Sequence, residues 1–149
     1  MTEVTFRRME RGDLDQVAAL EAANFSRPWL REDFEKTLDM QERIYIVGCM
    51  DGKVVAVAGL ICSIPEAELM NVSVDDDYRR LGIAQGLLEK LFEEGAAAGV
   101  TDIVLEVRAG NTPAKSLYEK LGFKEEGIIR NCYTHPVEDG LVYWLRKDS

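Results

Sequence analysis

Histidine is nearly absent from this chain: His135 is the only one, so a His-rich metal centre is excluded. Cysteine is scarce and odd in number, with Cys49, Cys62 and Cys132 widely spaced and no CxxC pair. That argues against a disulfide framework and a zinc site, and fits a reducing cytoplasm. No metal requirement is expected. No run of about 20 apolar residues occurs, so no membrane span is expected. The first ten residues, MTEVTFRRME, lack an apolar h-region and a small-residue cleavage site, which argues against a secretory signal. Basic charge is also short, with 18 Lys and Arg against 27 Asp and Glu and a formal net charge of -9. Binding to nucleic acid needs surplus Lys and Arg, so no direct nucleic-acid partner is expected. An acidic surface favours solubility and attracts cations such as protonated amines or basic peptides. Finally, there is no Gly-Lys-Ser/Thr, so a P-loop nucleoside-triphosphatase is not expected.

What is present is a chain of 149 residues, 46% hydrophobic, without repeats, low-complexity stretches or linkers. It reads as one domain over 1–149 with a sizeable core. Val4–Met9 alternates like a strand, and Asp13 or Asp15 can cap a helix through Val17, Leu20 and Ala23. After Ser26-Arg27-Pro28, a second helical stripe carries Trp29, Leu30, Phe34 and Leu38. Arg43–Met50 and Lys53–Cys62 flank Asp51-Gly52, a hairpin signal, and a third strand over Glu66–Val74 completes an antiparallel meander. A long amphipathic helix over Arg80–Ala98 stops at Gly99. Asp102–Arg108 is then a strand in parallel crossover connection with the third. Asn111-Thr112-Pro113 opens a helix closed by Gly122, and two strands follow over Phe123–Tyr133 and Gly140–Arg146. The fold class is α/β, a mixed sheet of about seven strands with about four helices.

The most informative segment runs from Asp75 to Gly86, between a strand and a helix. Free N–H groups at a helix start carry partial positive charge and make an anion site, and Gly82 and Ala84 let a ligand approach the backbone closely. Arg79 and Arg80 are misplaced at a helix N-terminus unless an anion, such as a diphosphate, neutralises them. Equally open is a structural reading, in which Asp75, Asp76 and Asp77 pair with the arginines and the glycines only make a turn.

Arg79-x-x-Gly82-x-Ala84 resembles the Arg/Gln-x-x-Gly-x-Gly/Ala signature of the GNAT N-acetyltransferase superfamily, and the strand–helix–strand–helix order from Glu68 to Phe123 agrees. The resemblance implies a GNAT-like acyl-CoA N-acyltransferase fold. It also implies that acetyl-CoA is the co-substrate, its pyrophosphate at Arg79, Arg80, Leu81, Gly82, Ile83, Ala84 and Gln85. The pantetheine would lie on the backbone of Val72, Ser73 and Val74, with an oxyanion met by an N–H near Val74. Leu105–Phe123, Phe25–Trp29 and Arg130-Asn131-Cys132-Tyr133 resemble the RimI-type ribosomal-protein alanine N-acetyltransferases. The acceptor this implies is a protein N-terminus, that of a ribosomal protein. Two departures stand out: Cys132 replaces a common aromatic, and Gly140-Leu141 follows Glu138-Asp139 where Asp-Ala is usual.

Acetyl transfer needs a neutral amine, yet an α-amine titrates near 8 and lysine near 10.4. Glu106 interrupts an apolar strand expected to be covered on both faces, so its carboxylate should be partly desolvated and a better base. A buried ion pair with Arg108 is the structural alternative. The resemblance implies the base role for Glu106, and for Tyr118 the acid that protonates the leaving thiolate; a space-filling tyrosine beside Leu117 and Leu121 is the alternative. Asn111 can cap its helix, and by resemblance contacts the cofactor. The cysteines read as small core residues. Glu66, Glu68, Glu138 and Asp139 are candidates to attract a basic peptide or to form a solvated edge. Trp29 and Tyr133 are walls of a peptide groove by analogy, or core packing. A small amine as acceptor, or a non-catalytic acetyl-CoA sensor, are the competing functions.

Overall fold

Near-continuous apolar runs in β2 (Arg43–Met50) and β3 (Lys53–Ser63), buried on both faces, form a hairpin closed by Asp51 and Gly52. Both turn residues sit at positive φ, 54° and 78°, as a two-residue turn matched to strand twist requires. The computed structural model describes residues 3–79, 81–134 and 136–147. Arg80 and His135 therefore lie outside the described residues. The remaining elements are β1 (Thr5–Arg8), α1 (Leu14–Asn24), α2 (Arg31–Thr37), β4 (Glu66–Val74), α3 (Ile83–Ala97), β5 (Asp102–Arg108), α4 (Thr112–Lys120), β6 (Lys124–Thr134) and β7 (Val137–Arg146). One seven-stranded sheet has the order β1-β2-β3-β4-β5-β7-β6. Only β4 and β5 pair in parallel; every other neighbouring pair is antiparallel.

Two apolar clusters cover the sheet. The larger holds Ile46, Leu60, Leu69 and Leu105 with Leu87, Leu88 and Leu91 of α3 and Phe123 after α4. The three α3 leucines are fully buried, each contributing about 1.5–3 kcal/mol by leaving water. The smaller cluster packs Leu14, Val17 and Leu20 of α1 and Phe34 of α2 on Tyr45, Val47 and Val57. No helix among the described residues is long and apolar enough to cross a membrane.

Several boundaries differ from the sequence expectation. α3 begins at Ile83, not Arg80, because Gly82 at φ 75° leaves the right-handed region and interrupts the helix there. β7 begins at Val137, three residues early, since β6 and β7 pair out to Thr134↔Val137. Leu30 is not on the α2 stripe; it is the exposed N-cap residue. Asp13 does not cap α1 through its side chain. It is buried and accepts two bonds from Arg7, at 2.7 and 2.9 Å, and one from the Glu10 N–H at 2.8 Å.

Candidate active site

The site originates in a failure of two strands to stay together. β4 and β5 share three registered pairs, Glu66↔Asp102, Ala67↔Ile103 and Glu68↔Val104, and then diverge. On its other side β4 bulges against β3 between Val57 and Gly59, and Asn71 adopts φ 59° at that irregularity. β5 stays bound to β7 through Glu106↔Val142 and Arg108↔Gly140. The gap is a groove of roughly 1300 Å³ that runs from the α1–α2 loop to the start of α4.

One end of the groove is built from the turn after β4. Gly82 is the N-cap of α3 and has no side chain with which to cap it, and no other side chain among the described residues caps the helix start. Its first-turn N–H groups thus remain available to an anion beside Gly82, Ile83, Ala84 and Gln85, which line the groove. The Ile83 side chain itself is buried in the core, and Leu81 is exposed and off the groove lining. Val72, Ser73 and Val74 line the gap where β4 has lost its β5 partner, and the Ser73 hydroxyl is buried without a hydrogen-bond partner among the described residues. Arg79 lines the groove as well, but it is not an unneutralised cation. Asp76 lies 2.9 Å from its Nε, and its Nη2 donates to Asn24 Oδ1 at 2.6 Å. Asp75 is engaged by Lys53 and by the Asp77 N–H. Both sequence readings of this loop are therefore partly realised: a carboxylate pairs with Arg79, and the helix start stays open.

In the middle of the groove, β5 presents Glu106 and α4 presents Tyr118. The expectation of a desolvated Glu106 is corrected: its side chain is exposed, because β4 has already peeled away and leaves that face of β5 uncovered. Its Oε1 accepts a hydrogen bond from Cys132 Sγ at 3.0 Å. Cys132, expected in the core, instead faces the groove. Arg108 turns to Glu138, 3.3 Å away, and its guanidinium lies 4.0 Å from the centre of the Tyr133 ring. Tyr118 is buried against Phe123, with ring centres 5.8 Å apart, and burial pushes its phenol up to about 12. It therefore holds its proton throughout the physiological range, as a donor must. Asn111 Oδ1 accepts from Ala114 N at 3.2 Å, so it caps α4 while lining the groove.

The far end differs most from expectation. Tyr133 is one wall, half-buried, its phenol pushed up by burial and by the adjacent Glu106. Trp29 is not a wall. It packs into the smaller core, 5.2 Å from Phe34 and 6.1 Å from Tyr45 between ring centres, and Phe25, Ser26 and Arg27 line the groove in its place. Of the four acidic candidates, Glu68 lines the groove and Glu66 does not. Glu138 is taken by Arg108 and the Gly110 N–H, and Asp139 by Arg130 and the Asn131 N–H. Sequence reasoning missed a network beneath this end. Tyr45 donates to Asn71 Oδ1 at 2.6 Å, and Asn71 Nδ2 donates to Glu21 Oε2 at 2.9 Å. The same oxygen takes the Trp29 N–H at 3.1 Å, and burial pushes the Glu21 carboxyl up. An asparagine inside an apolar strand was the available signal, since Asn tolerates left-handed φ.

Comparison with known proteins agrees with this architecture. A profile described as the acetyltransferase (GNAT) family matches residues 14–123. The [ribosomal protein bS18]-alanine N-acetyltransferase of Escherichia coli K12 is 38% identical over 141 residues, covering 91% of this chain and 90% of the relative. The N-alpha-acetyltransferase RimI of Mycobacterium tuberculosis is 33% identical over 152 residues, covering 98% and 93%. The crystal structure of the Escherichia coli ribosomal-protein-S18-alanine N-acetyltransferase superposes with a TM-score of 0.88 at 35% identity, covering 97% of this chain and 94% of that one. With the splayed strands, the open helix start and these matches together, the chain belongs to the acetyltransferase (GNAT) family and is an N-acetyltransferase.

Proposed function

We propose that this enzyme transfers acetyl from acetyl-CoA to the N-terminal α-amine of a protein that begins with alanine, a small-subunit ribosomal protein, in the cytoplasm. One observation carries the reading: the β4–β5 gap aligns an uncapped helix N-terminus, Tyr118 and Glu106 along a single groove. The names of the Escherichia coli and Mycobacterium tuberculosis relatives support the acceptor class. The residues present fit acetyl-CoA. The α3 N–H groups from Gly82 to Gln85, with Arg79 and Arg80, suit a diphosphate, and the unpaired edge of β4 at Val72–Val74 suits an amide-bearing arm.

Acetyl-CoA bound there supplies the acetyl group as an activated thioester. Glu106 takes a proton from the acceptor ammonium, directly or through water, and so exposes the nitrogen lone pair. An N–H near Val74 meets the negative charge that develops on the carbonyl oxygen. The nitrogen bonds the acetyl carbon, and as the C–S bond breaks Tyr118 gives its phenolic proton to the sulfur and recovers the proton that the nitrogen loses on becoming a neutral amide. Tyr133 forms one side of the acceptor channel, and the Phe25–Arg27 loop forms another. No step requires a covalent enzyme intermediate.

The test is thiol release from acetyl-CoA with a basic peptide starting with alanine, the same peptide blocked at its N-terminus with an internal lysine, and spermidine. The free alanine peptide should turn over at least tenfold faster than the others. Preference for spermidine would replace the protein acceptor with a small amine. Binding of acetyl-CoA without turnover of any of the three would favour a sensor.

A further inference from the structure

Cys132 of β6 and Gly140 of β7 meet in space. β6 loses register with β7 between Ile129 and Tyr133, and Asn131 adopts φ 51° within that bulge. Cys132 is carried over Gly140 of β7: a Cβ built on Gly140 would lie 3.0 Å from both the Cβ and the Sγ of Cys132. Gly140 has no positive φ, so what the position requires is space rather than backbone freedom. From that seat the thiol reaches β5 and donates to Glu106 Oε1 at 3.0 Å. The carboxylate bond, and then burial, push the thiol up, which keeps it protonated and able to donate. Around Glu106, Tyr133 stands beside the carboxylate, and Arg108 is held by Glu138 and by the Tyr133 ring.

We propose that Cys132 is a positioning residue for acetyl transfer: its thiol bonds one oxygen of Glu106 and, beside the Tyr133 phenol, orients the carboxylate, in a seat that exists because residue 140 is glycine. The inference rests on Glu106 being the base. A long exposed carboxylate samples several rotamers, and a fixed donor at one oxygen removes much of that freedom before substrate arrives.

Steady-state kinetics with acetyl-CoA and the alanine peptide decide it. Cys132→Ala should lower kcat about fivefold while both KM values hold, the size expected for losing one weak hydrogen bond to a charged group. Cys132→Ser, which keeps a donor, should restore most of the rate. Gly140→Ala should lower kcat to a similar extent in the native background and add nothing on top of Cys132→Ala, because both remove the same contact. If the alanine variant fails to fold, as judged by its thermal melt, the serine and Gly140 variants still decide. An unchanged kcat for Cys132→Ala beside an inactive Glu106→Gln overturns the positioning role alone, and so does a fully additive Gly140 effect. A Glu106→Gln variant at the native rate removes the base assignment itself, and this inference with it.

Discussion

The two ends of the groove are built on different principles. The end proposed for the cofactor is made of backbone: an uncapped helix start after Gly82 and, at Val72–Val74, a strand edge without a partner on the β5 side. The end proposed for the acceptor is made of side chains held by other side chains: Cys132 on Glu106, Arg108 on Tyr133 and Glu138, and Asn71 between Tyr45 and Glu21. Backbone groups are the same in every sequence that makes the same turn, so the first end tolerates divergence at most positions. Side-chain networks change with each substitution, so the second end is where acceptor preference can evolve while the chemistry stays fixed.

The largest effect that sharpens this contrast falls where the ends meet. Glu106→Gln and Tyr118→Phe should each cut kcat by about 100-fold or more, with acetyl-CoA affinity by calorimetry unchanged. A Tyr118→Phe rate within about twofold of native would break the acid assignment. Next, Trp29→Ala should cost about 2–3 kcal/mol in denaturant unfolding, because its indole fills the smaller core against Phe34 and Tyr45. The KM for peptide should stay within about threefold; a much larger rise would make Trp29 part of the acceptor wall after all.

Alkaline pH probes both ends together. Burial raises the Tyr118 phenol to about 12, and those of Tyr45 and Tyr133 also move up. A folded-state value above the unfolded one stabilises the protein below the unfolded pKa near 10, and that stability is lost as pH rises towards the folded value. Thermal melts should therefore fall between roughly pH 10 and 12, with Tyr118 accounting for about 2–3 kcal/mol. Tyr118→Phe should flatten part of that fall; an identical pH profile would contradict its burial. The smallest effect is at the helix start. Gly82→Val should weaken acetyl-CoA binding by about tenfold, since a β-branched residue at φ 75° costs about 1–2 kcal/mol and tilts the N–H groups.

Much of the frame was legible because it follows from local periodicity and punctuation. β2 and β5 fall where the pattern of their residues places them, and the Asp51-Gly52 turn and the Asn111 cap use chemistry that acts within four residues. The helix itself was legible for the same reason, but its start was read three residues early, at Arg80, because the amphipathic pattern runs on through the turn at Gly82. The exposure of Glu106 was not. An apolar strand with one carboxylate reads as a covered strand, and nothing local says that its neighbour departs after Glu68↔Val104. Trp29 was left open by the same limit: a large aromatic beside a proline looks alike whether it walls a groove or fills a core.

The sequence by itself determined the order of elements, the small-residue turn before α3 and the presence of a carboxylate and a phenol on consecutive elements, because each depends on residues close along the chain. Only the tertiary structure decided that β4 and β5 part, that Glu106 faces open space and that Cys132 reaches it across Gly140. The Cys132–Glu106 contact joins residues 26 apart in sequence, and all three features are set by how bulged strands stack in one sheet rather than by any local preference.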